Sequence, residues 1–193
     1  DIAVPRDPSS AAFPMVAALL TPGSDITLAG IGMNPLRTGL ITTLQEMGGD
    51  ITLSHARVEG GEAVADIRVK HSRLHGIDVP ADRAASMIDE YPILAIAATQ
   101  ADGITRMQGV AELRVKETDR IAVVADGIAA AGGTVHYDDD SMTVTGSPIA
   151  GGVTIASQHD HRIAMSFLTL GMVSDAPITV SGCQTINTSF PDF

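Results

Sequence analysis

The sequence predicts an α/β domain of the α+β kind: a pseudo-threefold assembly of βαβαββ units, with helices inside and sheets outside. Three observations carry that expectation. Stretches rich in Ala, Leu, Ile and Met at Ser10–Leu20, Glu90–Gln100 and His161–Met172 are apolar nearly all round, the mark of buried helices. Each leads through a turn into a short β-like run: Ile26–Ile31, Ile104–Val110 and Ile178–Cys183. The closing glycines of these runs, Gly30, Gly109 and Gly182, are spaced 79 and 73 residues apart.

The remaining elements follow in order. Arg37–Met47 sets Leu40, Ile41, Leu44 and Met47 at helical spacing and stops at Gly48-Gly49, because glycine accepts the left-handed conformation that ends a helix. Ile51–Arg57 and Ala63–Val69 then form a hairpin. The pattern recurs downstream. Asp119–Ala131 sets Ile121, Val124, Ala125 and Ile128 on one face before Gly132-Gly133. Thr134–Tyr137 and Ser141–Thr145 pair through Asp138-Asp139-Asp140. The unit is present about two and a half times, too long a period for a solenoid. The competing architecture is an ordinary α+β sandwich with coincidental repeats.

Residues 1–193 are expected to form one domain, truncated at both ends. The chain starts without Met, and Ser189-Phe190-Pro191-Asp192-Phe193 reads as a helix start. Composition excludes several classes. At 45% hydrophobic and 18% charged residues, the chain is not disordered. Its net charge of −11 argues against a nucleic-acid partner, which needs a basic face. The single cysteine, Cys183, excludes a disulfide framework and reads as a core residue. The longest apolar runs, Ala11–Leu20 and Ile93–Ala98, are short of the ~20 residues of a membrane span. The acidic start has no basic or apolar leader signature. No membrane partner is therefore expected, and a cytoplasmic location is.

Polar residues gather at the predicted helix starts: Asp7-Pro8-Ser9-Ser10, with Ser9 or Ser10 as cap, Asp89-Glu90, Lys116-Glu117-Thr118-Asp119-Arg120, and Asp160-His161-Arg162. If the units share an orientation, these starts converge on one face, whose free N–H groups favour phosphates and carboxylates. Lys116 and Arg120 stand four apart with Glu117 beside them, which suits a phosphate-bearing substrate that gains or loses a proton. Each cluster alone also fits helix-end electrostatics. His159-Asp160-His161 lacks a third ligand at metal spacing, so no metal is expected. Dinucleotide, P-loop and nucleophile-elbow motifs do not occur.

Four ordered segments resemble the 5-enolpyruvylshikimate-3-phosphate (EPSP) synthase family: Asp7-x-Ser9-Ser10-Ala11, Arg114-Val115-Lys116-Glu117-Thr118-Asp119-Arg120-Ile121, Asp160-His161-Arg162-Ile163-Ala164-Met165-Ser166-Phe167, and Ser189-Phe190-Pro191-Asp192. Asp89-Glu90-Tyr91-Pro92-Ile93-Leu94 is similar to the bacterial subgroup that includes glyphosate-tolerant members. The resemblance covers the family's C-terminal domain and implies that an N-terminal domain of the full protein is absent from this chain. It implies two domains of three βαβαββ units each, closing on phosphoenolpyruvate and shikimate-3-phosphate without a cofactor. The implied reaction moves the enolpyruvyl group to the 5-hydroxyl of shikimate-3-phosphate and releases phosphate, a step of aromatic amino-acid biosynthesis. By motif, Asp89 would contact the shikimate hydroxyls and serve as base. Lys116 would hold the shikimate ligand and transfer protons, and Glu117 would move a proton at the methylene carbon. Arg120 and Arg162 would hold phosphoenolpyruvate with His161 beside it. Glyphosate becomes an inhibitor to test.

Three departures from the family pattern stand out. Arg6 replaces a glycine in V-P-G-D, Glu112 replaces an asparagine that contacts shikimate in some members, and Thr188 replaces a lysine near phosphoenolpyruvate. The chain alone is expected to be inactive. The alternatives are a fragment of a UDP-N-acetylglucosamine enolpyruvyl transferase and a non-catalytic anion-binding domain.

Overall fold

Helix α1 (Pro8–Leu20) begins where the Asp7 carboxylate accepts the Ser10 N–H at 2.8 Å, so Asp7, and neither serine, is the cap. Strand β1 (Asp25–Gly32) follows, and a 3-10 turn over Pro35–Arg37, capped by Asn34, delays helix α2 to Gly39–Glu46. Strands β2 (Asp50–Glu59) and β3 (Glu62–Lys70) make the expected hairpin. The second unit repeats the plan: β4 (Asp78–Val79), α3 (Tyr91–Thr99), β5 (Ile104–Gln108), α4 (Arg120–Ala130), β6 (Thr134–Tyr137) and β7 (Ser141–Thr145). The third contains β8 (Thr154–Ala156), α5 (His161–Leu170), β9 (Thr179–Ser181) and the one-turn helix α6 (Ile186–Ser189). These elements come from a computed structural model that describes residues 3–193; Asp1 and Ile2, the start of the acidic stretch, lie outside the described residues.

Strand order makes the repeat physical. The first sheet runs β1-β3-β2 and the second β4-β5-β7-β6. Arg6 bridges Ile31 in parallel, Val79 pairs with Met107, and Ile155 pairs with Val180. In each unit, therefore, a short strand enters the buried helix and pairs in parallel with the strand that leaves it. The three closing glycines adopt the same left-handed backbone, with φ of +71°, +73° and +80° at Gly30, Gly109 and Gly182.

Helices α1, α3 and α5 pack against one another and form the centre of the core. All nine residues of α3 are buried, as its lack of a polar face requires. The sheets lie outside; β2 turns most of its residues to solvent. Among the described residues, no helix is long and apolar enough to cross a membrane.

One contact between helices tolerates no side chain. A Cβ on Gly127 of α4 would come within 2.2 Å of the Phe167 ring of α5. Alanine improves helix propensity by about 1 kcal/mol, but forcing the ring aside costs toward the upper end of about 1–3 kcal/mol. Gly127→Ala is expected to lower the thermal midpoint by roughly 4–8 °C, read by calorimetry. An unchanged midpoint would show that this interface is loosely packed.

Candidate active site

The starts of α1, α3, α4 and α5 meet at one end of the core, joined by side chains. Ser9 of α1 donates its hydroxyl to Glu90 Oε1, just before α3, at 2.5 Å. Arg120, first residue of α4, reaches Asp89 at 3.0 Å and the α5 cap Asp160 at 2.7 Å. Arg162 of α5 returns to Glu90 Oε1 at 3.4 Å. The convergence expected from the repeat is thus present.

Its chemistry differs from the expectation of free N–H groups. Carboxylates already occupy three helix starts: Asp7 on Ser10, Asp119 on Ala122, and Asp160 on Arg162 and Ile163. The positive charge at this face is carried by the side chains of Lys116, Arg120 and Arg162. Nor do Lys116 and Arg120 share a helix face, because α4 begins at Arg120 and Lys116 lies in the preceding loop. They meet instead on one acceptor: Asp89 Oδ1 lies 3.7 Å from Lys116 Nζ and 3.0 Å from Arg120.

That loop is held from both sides. Arg114 donates to the carbonyls of Asp138 and Asp139 in the β6–β7 turn and to Asp119 Oδ2 at 2.7 Å. Lys116 is drawn to Glu112 at 2.5 Å, so the residue standing in place of asparagine occupies the lysine. Arg120 is the buried hub, with its side chain only 1% exposed and its guanidinium shared among Asp160, Asp89 and Glu117. The Glu117 contact measures 2.5 Å, yet that carboxylate is half exposed. Arg162 is bound more loosely, at 3.3 Å from the Asp89 carbonyl, 3.4 Å from Glu90 and 3.6 Å from Asp89 Oδ2.

Electrostatics separates the neighbouring acids. Burial pushes the Asp89 carboxyl up, but Arg162, Lys116 and Arg120 outweigh it and hold the group below its usual range. Asp89 is therefore a firm anion in this arrangement. Glu90 moves the other way: burial dominates, opposed by the Ser9 hydrogen bond and by Arg162, and its carboxyl lies above the ordinary value. Burial and the Arg162 charge lower His161, which favours a neutral imidazole at neutral pH.

The structure gathers Asp89, Lys116, Glu117, Arg120 and Arg162 into one cluster. His161 lines a small cavity of about 40 Å³ with Arg162, Asp7, Ser9 and Phe190. Sequence reading missed three participants. Ser9 bonds Glu90 instead of capping, Arg37 donates to Ser9 at 2.7 Å and Asp7 at 3.1 Å, and Asp160 is a buried ion partner as well as a cap. The Ser-Ser and Asp-His-Arg helix starts marked their positions but not their partners. Of the departures, Arg6 keeps an ordinary backbone, accepting from Gly32 and donating to Gly30, so that turn needs no glycine. Thr188 is exposed and donates only to the Thr185 carbonyl, bringing no cation.

Comparison with known proteins identifies the family. The family model described as EPSP synthase (3-phosphoshikimate 1-carboxyvinyltransferase) matches residues 1–193. The 3-phosphoshikimate 1-carboxyvinyltransferases of Methylorubrum extorquens and Parvibaculum lavamentivorans are each 61% identical to it over the whole chain. The chain spans 43% of the length of both relatives. The solved EPSP synthase of Acinetobacter baumannii superposes with a TM-score of 0.95 and 49% identity, over 98% of this chain and 44% of that one. The enolpyruvyl transferase NikO of Streptomyces tendae shares the fold at a TM-score of 0.78 and 18% identity, over 100% of this chain and 42% of that one. With the family model matching the whole chain and relatives 61% identical along its length, the chain belongs to the EPSP synthase family.

Proposed function

We propose that this chain forms the C-terminal domain, residues 1–193, of a cytoplasmic 3-phosphoshikimate 1-carboxyvinyltransferase and supplies one wall of its cleft. The reaction joins the enolpyruvyl group of phosphoenolpyruvate to the 5-hydroxyl of shikimate-3-phosphate and releases phosphate. The observation that carries this reading is the meeting of Asp89, Lys116, Glu117, Arg120 and Arg162 from three helix starts.

The contacts support distinct roles. Arg162 has long, weak ion pairs and a side chain 14% exposed, so its donors are available to the carboxylate or phosphate of phosphoenolpyruvate. Arg120 is saturated by carboxylates. It can grip an anion only by exchanging the exposed Glu117, and that exchange frees Glu117 to act. Once released, Glu117 takes up a proton from solvent and gives it to the methylene carbon as the 5-hydroxyl oxygen bonds to the adjacent carbon and Asp89 accepts the hydroxyl proton. It takes a proton back from the resulting methyl group as phosphate leaves. Asp89, a firm anion, orients the shikimate hydroxyls; it becomes an effective base once the ligand's anionic groups draw Lys116 and Arg162 away. Lys116 shifts from Glu112 to the shikimate ligand and lies close to the proton leaving the hydroxyl. His161, neutral, serves as a hydrogen-bond partner. Glyphosate, with a phosphonate and a carboxylate, fits the same cations.

The complementary half is required, because this face carries more acid than base. Asp7, Asp89, Glu90, Glu112, Glu117 and Asp160 surround Arg37, Lys116, Arg120 and Arg162. Phosphate release is to be measured with phosphoenolpyruvate and shikimate-3-phosphate, using the chain alone and the chain mixed with the complementary half. Association is followed by sedimentation. Turnover is expected from the associated pair and none from the chain alone. Turnover by the chain alone, or by the pair with UDP-N-acetylglucosamine as acceptor, would overturn the reading.

A further inference from the structure

The two acids before α3 differ in placement. Asp89 serves three cations and opens toward the cleft, its side chain 37% exposed. Glu90 lies behind them, with a side chain 6% exposed, and no family motif assigns it a task. Its Oε1 accepts the Ser9 hydroxyl at 2.5 Å and faces Arg162 at 3.4 Å. Ser9 is steadied from outside by Arg37 at 2.7 Å. Among the described residues, Arg162 is otherwise held only by the Asp89 carbonyl and a long contact to Asp89 Oδ2.

We propose that Glu90 is the positioning residue of Arg162, fixing its guanidinium for the anionic group of phosphoenolpyruvate; this rests on the functional reading above. The arrangement is directional. Ser9 fixes Glu90 by a short bond, and Glu90 limits Arg162 by a longer one that does not saturate it. An arginine left to its rotamers presents its fork in many orientations, whereas a carboxylate behind it selects one and leaves the outer donors to the ligand. A rigid partner behind a binding residue acts through geometry and not through contact with substrate. Glu90 thereby links the start of α1 to the phosphoenolpyruvate end of the cleft. The link spans 81 residues of sequence on the Ser9 side and 72 on the Arg162 side.

The test uses the full-length enzyme containing this chain. Glu90→Ala is expected to raise the KM for phosphoenolpyruvate roughly 10- to 100-fold, since a guanidinium misplaced by about 1 Å can cost a hundredfold. The KM for shikimate-3-phosphate is expected to stay within about twofold, because Lys116 and Asp89 remain in place. Glu90→Gln keeps the shape and the acceptor oxygen and restores phosphoenolpyruvate KM to within about fivefold of wild type. In an Arg162→Ala background, Glu90→Ala should add no further loss. A purely structural role would instead affect both substrates alike and add in the double variant. Crystal structures of Glu90→Ala and Glu90→Gln supply a readout independent of turnover, with Arg162 displaced in the first and retained in the second. An unmoved Arg162 in Glu90→Ala, or an unchanged phosphoenolpyruvate KM, would overturn the inference. An inactive wild type would count against the functional reading alone, because the position of Arg162 still decides the role of Glu90.

Discussion

Arg120→Met is expected to lower the thermal midpoint of the chain by roughly 6–20 °C. The substitution keeps much of the side-chain volume, so little is lost in packing. It leaves Asp160, with no exposed side-chain surface, as a buried carboxylate without its cation. Breaking a buried ion pair by removing one member costs about 3–5 kcal/mol, and each kcal/mol moves the midpoint of a domain this size by about 2–4 °C. The damage spreads to the site. Asp89 loses its closest cation and Glu117 its partner, so two elements drift that Arg120 had tied to α5. Arg120→Lys should recover only part of the loss, because one ammonium cannot replace a fork shared by three carboxylates. Calorimetry of the three proteins checks this, and a midpoint within about 2 °C of wild type for Arg120→Met would show that Asp160 is accommodated without its partner.

Glu117→Gln should have the opposite profile, with a stable fold and little activity. The Glu117 side chain is half exposed, and glutamine can still accept from Arg120, so the thermal midpoint should move by no more than about 1 °C. Glutamine cannot carry a proton to and from carbon. Turnover by the full-length enzyme is therefore expected to fall about 10²–10⁴-fold, the usual contribution of a positioned acid or base. Both KM values should change little. Turnover within threefold of wild type would remove Glu117 from the proton-transfer role and leave it as a partner of Arg120 only. Exchange of the methylene protons of phosphoenolpyruvate with deuterated water gives a second reading, and it should fall in parallel.

Much of the architecture is readable locally. The stretch Tyr91–Thr99 has no polar face, so it has to lie at the centre, and all nine of its residues are buried. The glycines after α2 and α4 end those helices for a conformational reason that any neighbour would respect. The entering strands are another matter. Asp78–Val79 and Thr154–Ala156 are too short to show alternation, and they become strands only because β5 and β9 offer parallel partners. The Lys116–Arg120 spacing suggested a helix face, whereas Lys116 and Glu117 lie in a loop secured by Arg114 on the β6–β7 turn. A contact between residues 24 and 25 positions apart leaves no trace in a local pattern.

The site divides in the same way. Residue types at the helix starts were legible as an anion-handling set: Asp89, Lys116, Glu117, Arg120, His161 and Arg162. Their states were not. Whether a carboxylate caps a helix, binds an arginine or faces a cleft depends on distance and burial, which the repeat brings about only when three units close on one core. The sequence by itself determined the βαβαββ repeat, the buried helices and the charged residues at the helix starts, because propensity, periodicity and charge are properties of short segments. Only the tertiary structure decided that Arg120 is a buried hub and that Arg162 is held by longer contacts. It alone placed Glu90 on Ser9, since pairing across 81 residues is set by packing.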